Sequence, residues 1–130
     1  MQAGSGNDVL IGGANGTGDI GDYMMGGTGY DVFYFTFGDS GGASPAVDVI
    51  SDFVSGGDLI AILGFAAVFL GEQAGFSDIA GAEAYFEHTQ RDGLDDVTNI
   101  HVRDAIGLTG DFELSLIGHI DLTANDVFLI

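Results

Sequence analysis

Asp8, Asp22 and Asp31 each close a glycine-rich stretch and open an apolar one. The clearest case is Gly26-Gly27-Thr28-Gly29-Tyr30-Asp31-Val32-Phe33-Tyr34, which fits the nonapeptide G-G-x-G-x-D-x-U-x with U apolar. Ala3-Gly4-Ser5-Gly6-Asn7-Asp8-Val9-Leu10-Ile11 departs from it only at the first glycine. A turn of this kind offers one carboxylate and several backbone carbonyls, and its glycines let the chain approach an ion closely. Such oxygens suit Ca²⁺, which takes six to eight of them. One turn provides about half of that shell, so a second turn must complete it.

Spacing decides which turns can cooperate. Asp22 and Asp31 lie one period of nine apart, whereas Asp8 and Asp22 lie fourteen apart, a period plus a five-residue insertion within Gly12–Gly21. With nine residues per half-turn, successive turns alternate between two sides of a flattened coil. The turns of Asp8 and Asp31 then share a side and should sandwich one ion. The candidate ligands there are Ala3, Gly4, Ser5, Gly6 and Asp8 from one turn, and Gly26, Gly27, Thr28, Gly29 and Asp31 from the other. Asp22 falls on the opposite side, where Asp39 is the nearest candidate partner. Leu10, Met24 and Phe33, at the U positions, are expected to point inward and stack. Carboxylate repulsion should hold such a coil open until metal arrives, so that binding contributes to folding.

The elements that must position these turns are strands. Beyond the repeats, Asp31–Phe37, Val47–Phe53, Leu59–Leu63, Ala82–Thr89, Thr98–Arg103, Asp111–Ile117 and Asp126–Ile130 are rich in apolar and β-branched residues and bounded by turn residues, as strands are. Ala66–Ala74 is ambiguous and could hold a helical turn. The expected fold is all-β: a short calcium-bound parallel β-roll over residues 1–37, then an antiparallel β-sandwich-like cap over 38–130, in one continuous module.

Composition supports this and excludes other classes. Asp and Glu number 20 against two basic residues, Arg91 and Arg103, and the net charge is −18. Nucleic acids and anionic membranes need cations on the protein, so neither is an expected partner. The charge opposes compaction, but the chain is 46% apolar and therefore not a disordered polar segment. No cysteine is present, which removes disulfides and thiolate metal sites. No apolar run approaches the roughly 20 residues of a membrane span, and the N-terminus lacks the pattern of a secretory signal peptide.

The nonapeptides resemble the RTX, or haemolysin-type, calcium-binding repeats. That resemblance implies a calcium-loaded parallel β-roll in a protein exported by the bacterial type I secretion system. Asp48-Val49-Ile50-Ser51-Asp52-Phe53-Val54-Ser55-Gly56-Gly57-Asp58-Leu59-Ile60 is similar to the segment that caps the roll in serralysin-type proteases and alginate epimerase R-modules, with the pattern D-x-I-x-D-F-x-x-G-x-D-x-I-D-L. Ala61 stands where that pattern has its last aspartate. The resemblance adds Asp48, Asp52 and Asp58 to the candidate metal residues. The ends of those proteins are also similar to Asp111–Gly118 and Leu122–Ile130. In the family the uncleaved C-terminus carries the export signal, often an acidic residue followed by apolar ones, and Asp126-Val127-Phe128-Leu129-Ile130 fits. The same five residues also suit a closing strand that buries Val127 and Leu129 or Phe128 and Ile130.

Other motifs carry less. Gly38-Asp39-Ser40-Gly41-Gly42 spells the nucleophile signature of trypsin-like proteases, but no histidine has the required context. Gly16-Thr17-Gly18-Asp19-Ile20-Gly21 matches G-x-G-x-x-G without the βαβ unit that gives that motif meaning. H-E-x-x-H is absent, so no zincin-like protease centre is expected. Asp92, Asp95 and Asp96 read as a solvated acidic turn. The reading is a non-catalytic, calcium-binding C-terminal module of a type I secreted bacterial protein. It folds on calcium outside the cell, carries the export signal, and serves an upstream domain of a longer parent. The alternatives are a carbohydrate-binding accessory module and a fragment of a secreted protease or lipase. Only Arg91 and Arg103 would be available to a polyuronate.

Overall fold

A computed structural model describes residues 1–13, 21–36, 39–40, 46–64, 66–79, 81–89, 96–104 and 112–130. The regular elements among them are all strands: β1 (Gln2–Ser5), β2 (Val9–Ile11), β3 (Tyr23–Thr28), β4 (Val32–Thr36), β5 (Asp48–Ile50), β6 (Leu59–Leu63), β7 (Val68–Glu72), β8 (Glu83–Thr89), β9 (Val97–Arg103), β10 (Phe112–Ile117) and β11 (Val127–Leu129). They form a seven-stranded sheet ordered β1-β3-β5-β10-β9-β8-β7 and a four-stranded sheet ordered β11-β6-β4-β2. Among the described residues no helix is long and apolar enough to cross a membrane.

The first half of the chain winds between the two sheets. β1, β3 and β5 pair in parallel in one sheet, and β2, β4 and β6 pair in parallel in the other. Each coil therefore crosses from sheet to sheet, as expected of a parallel roll. The parallel ladders run on past residue 37 through β5 and β6, and β11 adds a last parallel strand beside β6. β8, β9 and β10 form the antiparallel part, with β10 paired to β9 and β9 to β8, and β7 adds in parallel at the edge beside β8. β10 also pairs in parallel with β5, which joins this part to the roll through one continuous sheet.

Alternation along the strands explains the packing. In β4, Phe33 and Phe35 are buried between the more exposed Val32, Tyr34 and Thr36. Leu10, Met24 and Phe33 do point inward, and they join Ile50, Ile60, Ile62, Ile100, Val102, Phe112, Leu114 and Leu116 in one core. The edge-to-face pair Phe35–Phe112, with centroids 5.5 Å apart, locks roll and antiparallel part together. At the C-terminus Val127 is buried, Leu129 half-buried, and Phe128 and Ile130 exposed, which selects the first of the two closing-strand arrangements.

Two local outcomes differ from the sequence reading. The ambiguous stretch 66–74 contains strand β7 and no helical turn. β7 pairs in parallel with β8, and Phe69 stacks on Phe86 at 6.1 Å, so long-range pairing decides its conformation. Gly71, with φ of 78°, sits where the register shifts between Phe69 and Glu72. The second difference concerns the glycines. Gly4 and Ser5 belong to β1, and Gly26, Gly27 and Thr28 to β3, so part of each expected turn is strand. Gly4 faces Gly27 and Ser5 faces Thr28 across the ladder.

Candidate metal centre

One edge of the coil collects an aspartate from each successive crossing. Asp8, Asp31, Asp58 and Asp126 immediately precede β2, β4, β6 and β11, the four strands of the smaller sheet. Parallel pairing stacks them as rungs. The Asp8 amide donates to Asp31 Oδ1 at 2.9 Å, and the Asp31 amide donates to Asp58 Oδ1 at 3.0 Å. The reverse bonds run through the backbone: Val32 N–H donates to the Asp8 carbonyl, Leu59 N–H to that of Asp31, and Ile60 N–H to that of Asp126. The same-side placement of Asp8 and Asp31 read from the spacing is thus a feature of the fold.

Around Asp31 the chain leaves room for nothing but hydrogen at three glycines. A Cβ on Gly26 would stand 2.4 Å from Asp31 Oδ2. One on Gly27 would stand 1.8 Å from the Gly4 carbonyl oxygen, and one on Gly29 would stand 1.9 Å from the Gly6 carbonyl oxygen. Gly27 and Gly29 also have φ of 100° and 138°, in the region that favours glycine. Two further side chains fix the turns. Asn7 Oδ1 accepts from Tyr30 N–H at 3.0 Å, and the Asp52 carboxylate accepts from Gly26 N–H at 2.9 Å and Gly27 N–H at 2.7 Å. Ala3, Gly4, Ser5 and Gly6 are exposed beside this edge, as are Gly27, Thr28 and Gly29.

Asp31 is 1% exposed, and its Oδ2 is buried with no hydrogen-bond donor. A buried carboxylate oxygen without a donor carries a large desolvation cost unless a cation compensates it. The donor set available here is carboxylate and carbonyl oxygen, which suits a hard divalent cation. The cradle of missing Cβ atoms and the orphaned oxygen both fit a metal held between the Asp8 and Asp31 turns.

Further along this edge the Asp58 and Asp126 carboxylates are satisfied by the protein. Asp58 Oδ2 accepts from Val54 N–H at 2.8 Å, in addition to the Asp31 amide on Oδ1. Asp126 accepts four bonds: from Thr123 N–H, Thr123 Oγ1–H, Ser55 Oγ–H and Gly56 N–H. Burial alone would raise its pKa, but the bonds from Thr123 and Gly56 amides and from the Ser55 and Thr123 hydroxyls outweigh it and hold the carboxyl below its ordinary value. Asp126 was not among the candidate residues. Its signal was present in the repeated pattern Asp8-Val9-Leu10-Ile11, Asp31-Val32-Phe33-Tyr34 and Asp126-Val127-Phe128-Leu129.

On the opposite edge the structure sets Asp22 against Asp48, not against Asp39. The Asp22 amide donates to Asp48 Oδ1 at 2.7 Å, and Val49 N–H returns to the Asp22 carbonyl. Pairing of Tyr23 with Val49 across β3 and β5 brings this about. Asp39 instead accepts from Thr36 N–H and Thr36 Oγ1–H within its own loop. Ser40, of the protease-like pentapeptide, is fully buried; its hydroxyl donates to the Glu113 carbonyl and accepts from Asp48 N–H. It has no free hydroxyl to act as a nucleophile. Gly38, Gly41 and Gly42, the 14–20 stretch of the insertion, and Arg91, Asp92 and Asp95 lie outside the described residues; Asp96 accepts from Gly118 N–H through its carbonyl.

The basic residue that can be placed is committed elsewhere. Arg103 is 4% exposed and forms a buried pair with Glu83 at 2.9 Å. The same nitrogen donates to the Ser77 and Ile79 carbonyls, and the guanidinium lies over the Phe76 ring.

A comparison with curated proteins returned no match. The family model for the serralysin C terminal of peptidase M10 matches residues 1–129, nearly the whole chain, and so spans both the aspartate edge and the antiparallel part. The chain belongs to the peptidase M10 serralysin C-terminal family.

Proposed function

We propose that this chain is the calcium-binding, non-catalytic C-terminal module of a secreted bacterial protein. Membership of the serralysin C-terminal family favours a β-roll module of secreted proteins. The observation that carries the calcium reading is Asp31 Oδ2, buried without a donor in a cradle where Gly26 could not carry a Cβ. Asp31 and Asp8 supply carboxylate charge, and carbonyls of the Ala3–Gly6 and Gly26–Gly29 segments supply neutral oxygens. Asp52 holds the second segment in place through Gly26 and Gly27, and Asp58 orients the Asp31 backbone. On the other edge Asp22 and Asp48, rather than Asp22 and Asp39, are the residues positioned for a second ion.

Bound calcium supplies positive charge that compensates the carboxylates. The protein's part is to exclude water from Asp31, to bring two turns into register, and to keep the glycine carbonyls close. In a chain of net charge −18, loss of the ion leaves repulsion along the edge. We therefore expect folding outside the cell, where calcium meets a site of the millimolar to sub-millimolar class typical of extracellular modules. Residues 1–37 carry the repeats and 38–130 the cap, in a single module that shares both sheets. The apolar C-terminal residues are proposed as the export signal before folding and as strand β11 after it. The upstream partner is a further domain of the same parent protein.

The polyuronate-binding alternative loses support from Arg103, whose guanidinium is buried against Glu83. The test of the main reading is a calcium titration of the chain followed by far-UV circular dichroism. β signal should grow with Ca²⁺ and fall with chelator. Asp8→Ala and Asp31→Ala should weaken the same ion by similar amounts. A chain fully folded in chelator, with a flat titration, overturns the proposal.

A further inference from the structure

Far from the aspartate edge, among the described residues, His88, His119 and Asp121 bring three ligand atoms within 4.8 Å of one another. His88 is the penultimate residue of β8 and its side chain is 13% exposed, whereas His119 and Asp121 lie in the segment after β10 and are 55% and 79% exposed. His88 Nε2 is 3.2 Å from Asp121 Oδ1, and His119 Nε2 is 3.6 Å from the same oxygen. Ligands on a tetrahedral zinc with bonds of 2.0–2.1 Å stand about 3.3 Å apart. The His88–Asp121 edge is already close to that separation, and the His119 edge is that of the ring before it turns toward an ion.

The hydrogen bonds behind His88 supply the independent reason to expect a cation. Thr98 Oγ1 donates its one proton to the Gly118 carbonyl at 2.8 Å and accepts from Ile120 N–H at 2.9 Å. Its third contact, 3.1 Å from His88 Nδ1, must then be a bond in which the histidine donates. The proton of the neutral ring is thereby fixed on Nδ1, and Nε2 presents a lone pair. That lone pair faces a carboxylate oxygen at 3.2 Å. A carboxylate oxygen at this distance calls for positive charge at Nε2, either a second ring proton or a bound metal cation. A hydrogen bond from the far ring nitrogen of this kind is also what orients metal-ligating histidines.

We propose that His88 Nε2, His119 Nε2 and Asp121 Oδ1 form a surface site for a divalent transition cation of the zinc class. Imidazole nitrogen suits Zn²⁺ and its neighbours and not Ca²⁺, which takes oxygen. The site is therefore distinct from the aspartate edge in place and in chemistry. The rings of His88 and His119 stack at 3.6 Å with 19° between their planes. Capture of an ion turns the His119 ring out of this stack, which its exposed position permits, while His88 stays held by Thr98. Beside His88 opens a recess lined by Glu72, Gln73, Ala74 and Glu87.

The experiment is a calorimetric titration of zinc chloride into the calcium-saturated chain, with Co²⁺ absorption as a second readout. One equivalent should bind with a dissociation constant of about 10 μM or tighter. Co²⁺ should give the intense visible bands of a four-coordinate site. His119→Ala, which alters an exposed side chain, should keep the fold by circular dichroism and weaken zinc by about ten-fold or more. His88→Gln should do the same while leaving the calcium titration unchanged. Zinc binding that is absent, or that persists unaltered in His119→Ala, overturns the site.

Discussion

Asp31 and Asp126 occupy equivalent places on one edge of the coil. Each directly precedes a strand of the four-stranded sheet, and each is 1% exposed. Their surroundings differ. Asp31 receives the Asp8 amide on one oxygen and no donor on the other, while Asp126 receives four donors from Thr123, Ser55 and Gly56. At equal burial, the first carboxylate is left with charge that only a cation can compensate and the second is closed by the protein itself. The proposed calcium dependence is therefore assigned to the repeat end of the roll. The cap end is held by aromatic packing, by the Asp126 clasp and by the buried Arg103–Glu83 pair, none of which involves metal.

The largest effect that probes this contrast is at Arg103. Arg103→Met removes the cation facing Glu83, which then keeps only the Ser77 amide and hydroxyl as donors, and should lower the thermal midpoint by roughly 10 °C. The loss should be the same in calcium and in chelator, because the pair lies in the metal-independent region. A loss confined to one condition would break the division. Next comes Asp126→Ala, which leaves four donors without their acceptor and should cost about 2 kcal/mol. Urea unfolding with and without calcium should give equal differences. Should Asp126 instead help hold an ion, its substitution would cost more in calcium.

The smallest effect is on pH dependence. The Asp126 carboxyl lies below its ordinary value of 3.8 when folded. A depressed carboxyl contributes stability that is fully present above the unfolded value and is lost as pH falls through the folded one. The stability gap between the native chain and Asp126→Ala should hold steady above about pH 4 and narrow below it. A gap that stays constant on further acidification would show that the clasp does not act through the charged form.

Much of the repeat end was legible because its determinants are local. Leu10, Met24 and Phe33 each follow a repeat aspartate at the same short offset and are all buried. The same-side position of Asp8 and Asp31 follows from counting half-turns. Elsewhere the determinants are distant in sequence. Asp22 meets Asp48 because β3 pairs with β5 at a register that counting along the sequence does not reveal. Asp126 joins the edge because β11 pairs with β6 across most of the second half of the chain. β7 is a strand because β8 lies beside it. The His88–His119–Asp121 cluster needs the end of β8 to meet the segment after β10, and no spacing pattern announces that.

The most direct test compares the native chain with Asp31→Asn, in calcium and in chelator, by urea unfolding. Asn keeps an acceptor for the Asp8 amide and removes the buried charge. With calcium at about 100 times its dissociation constant, the native chain should be the more stable by roughly 2–3 kcal/mol. In chelator the order should close or reverse, because the native carboxylate is then buried without compensation. A stability difference of the same sign and size in both conditions would contradict a calcium ion held through Asp31.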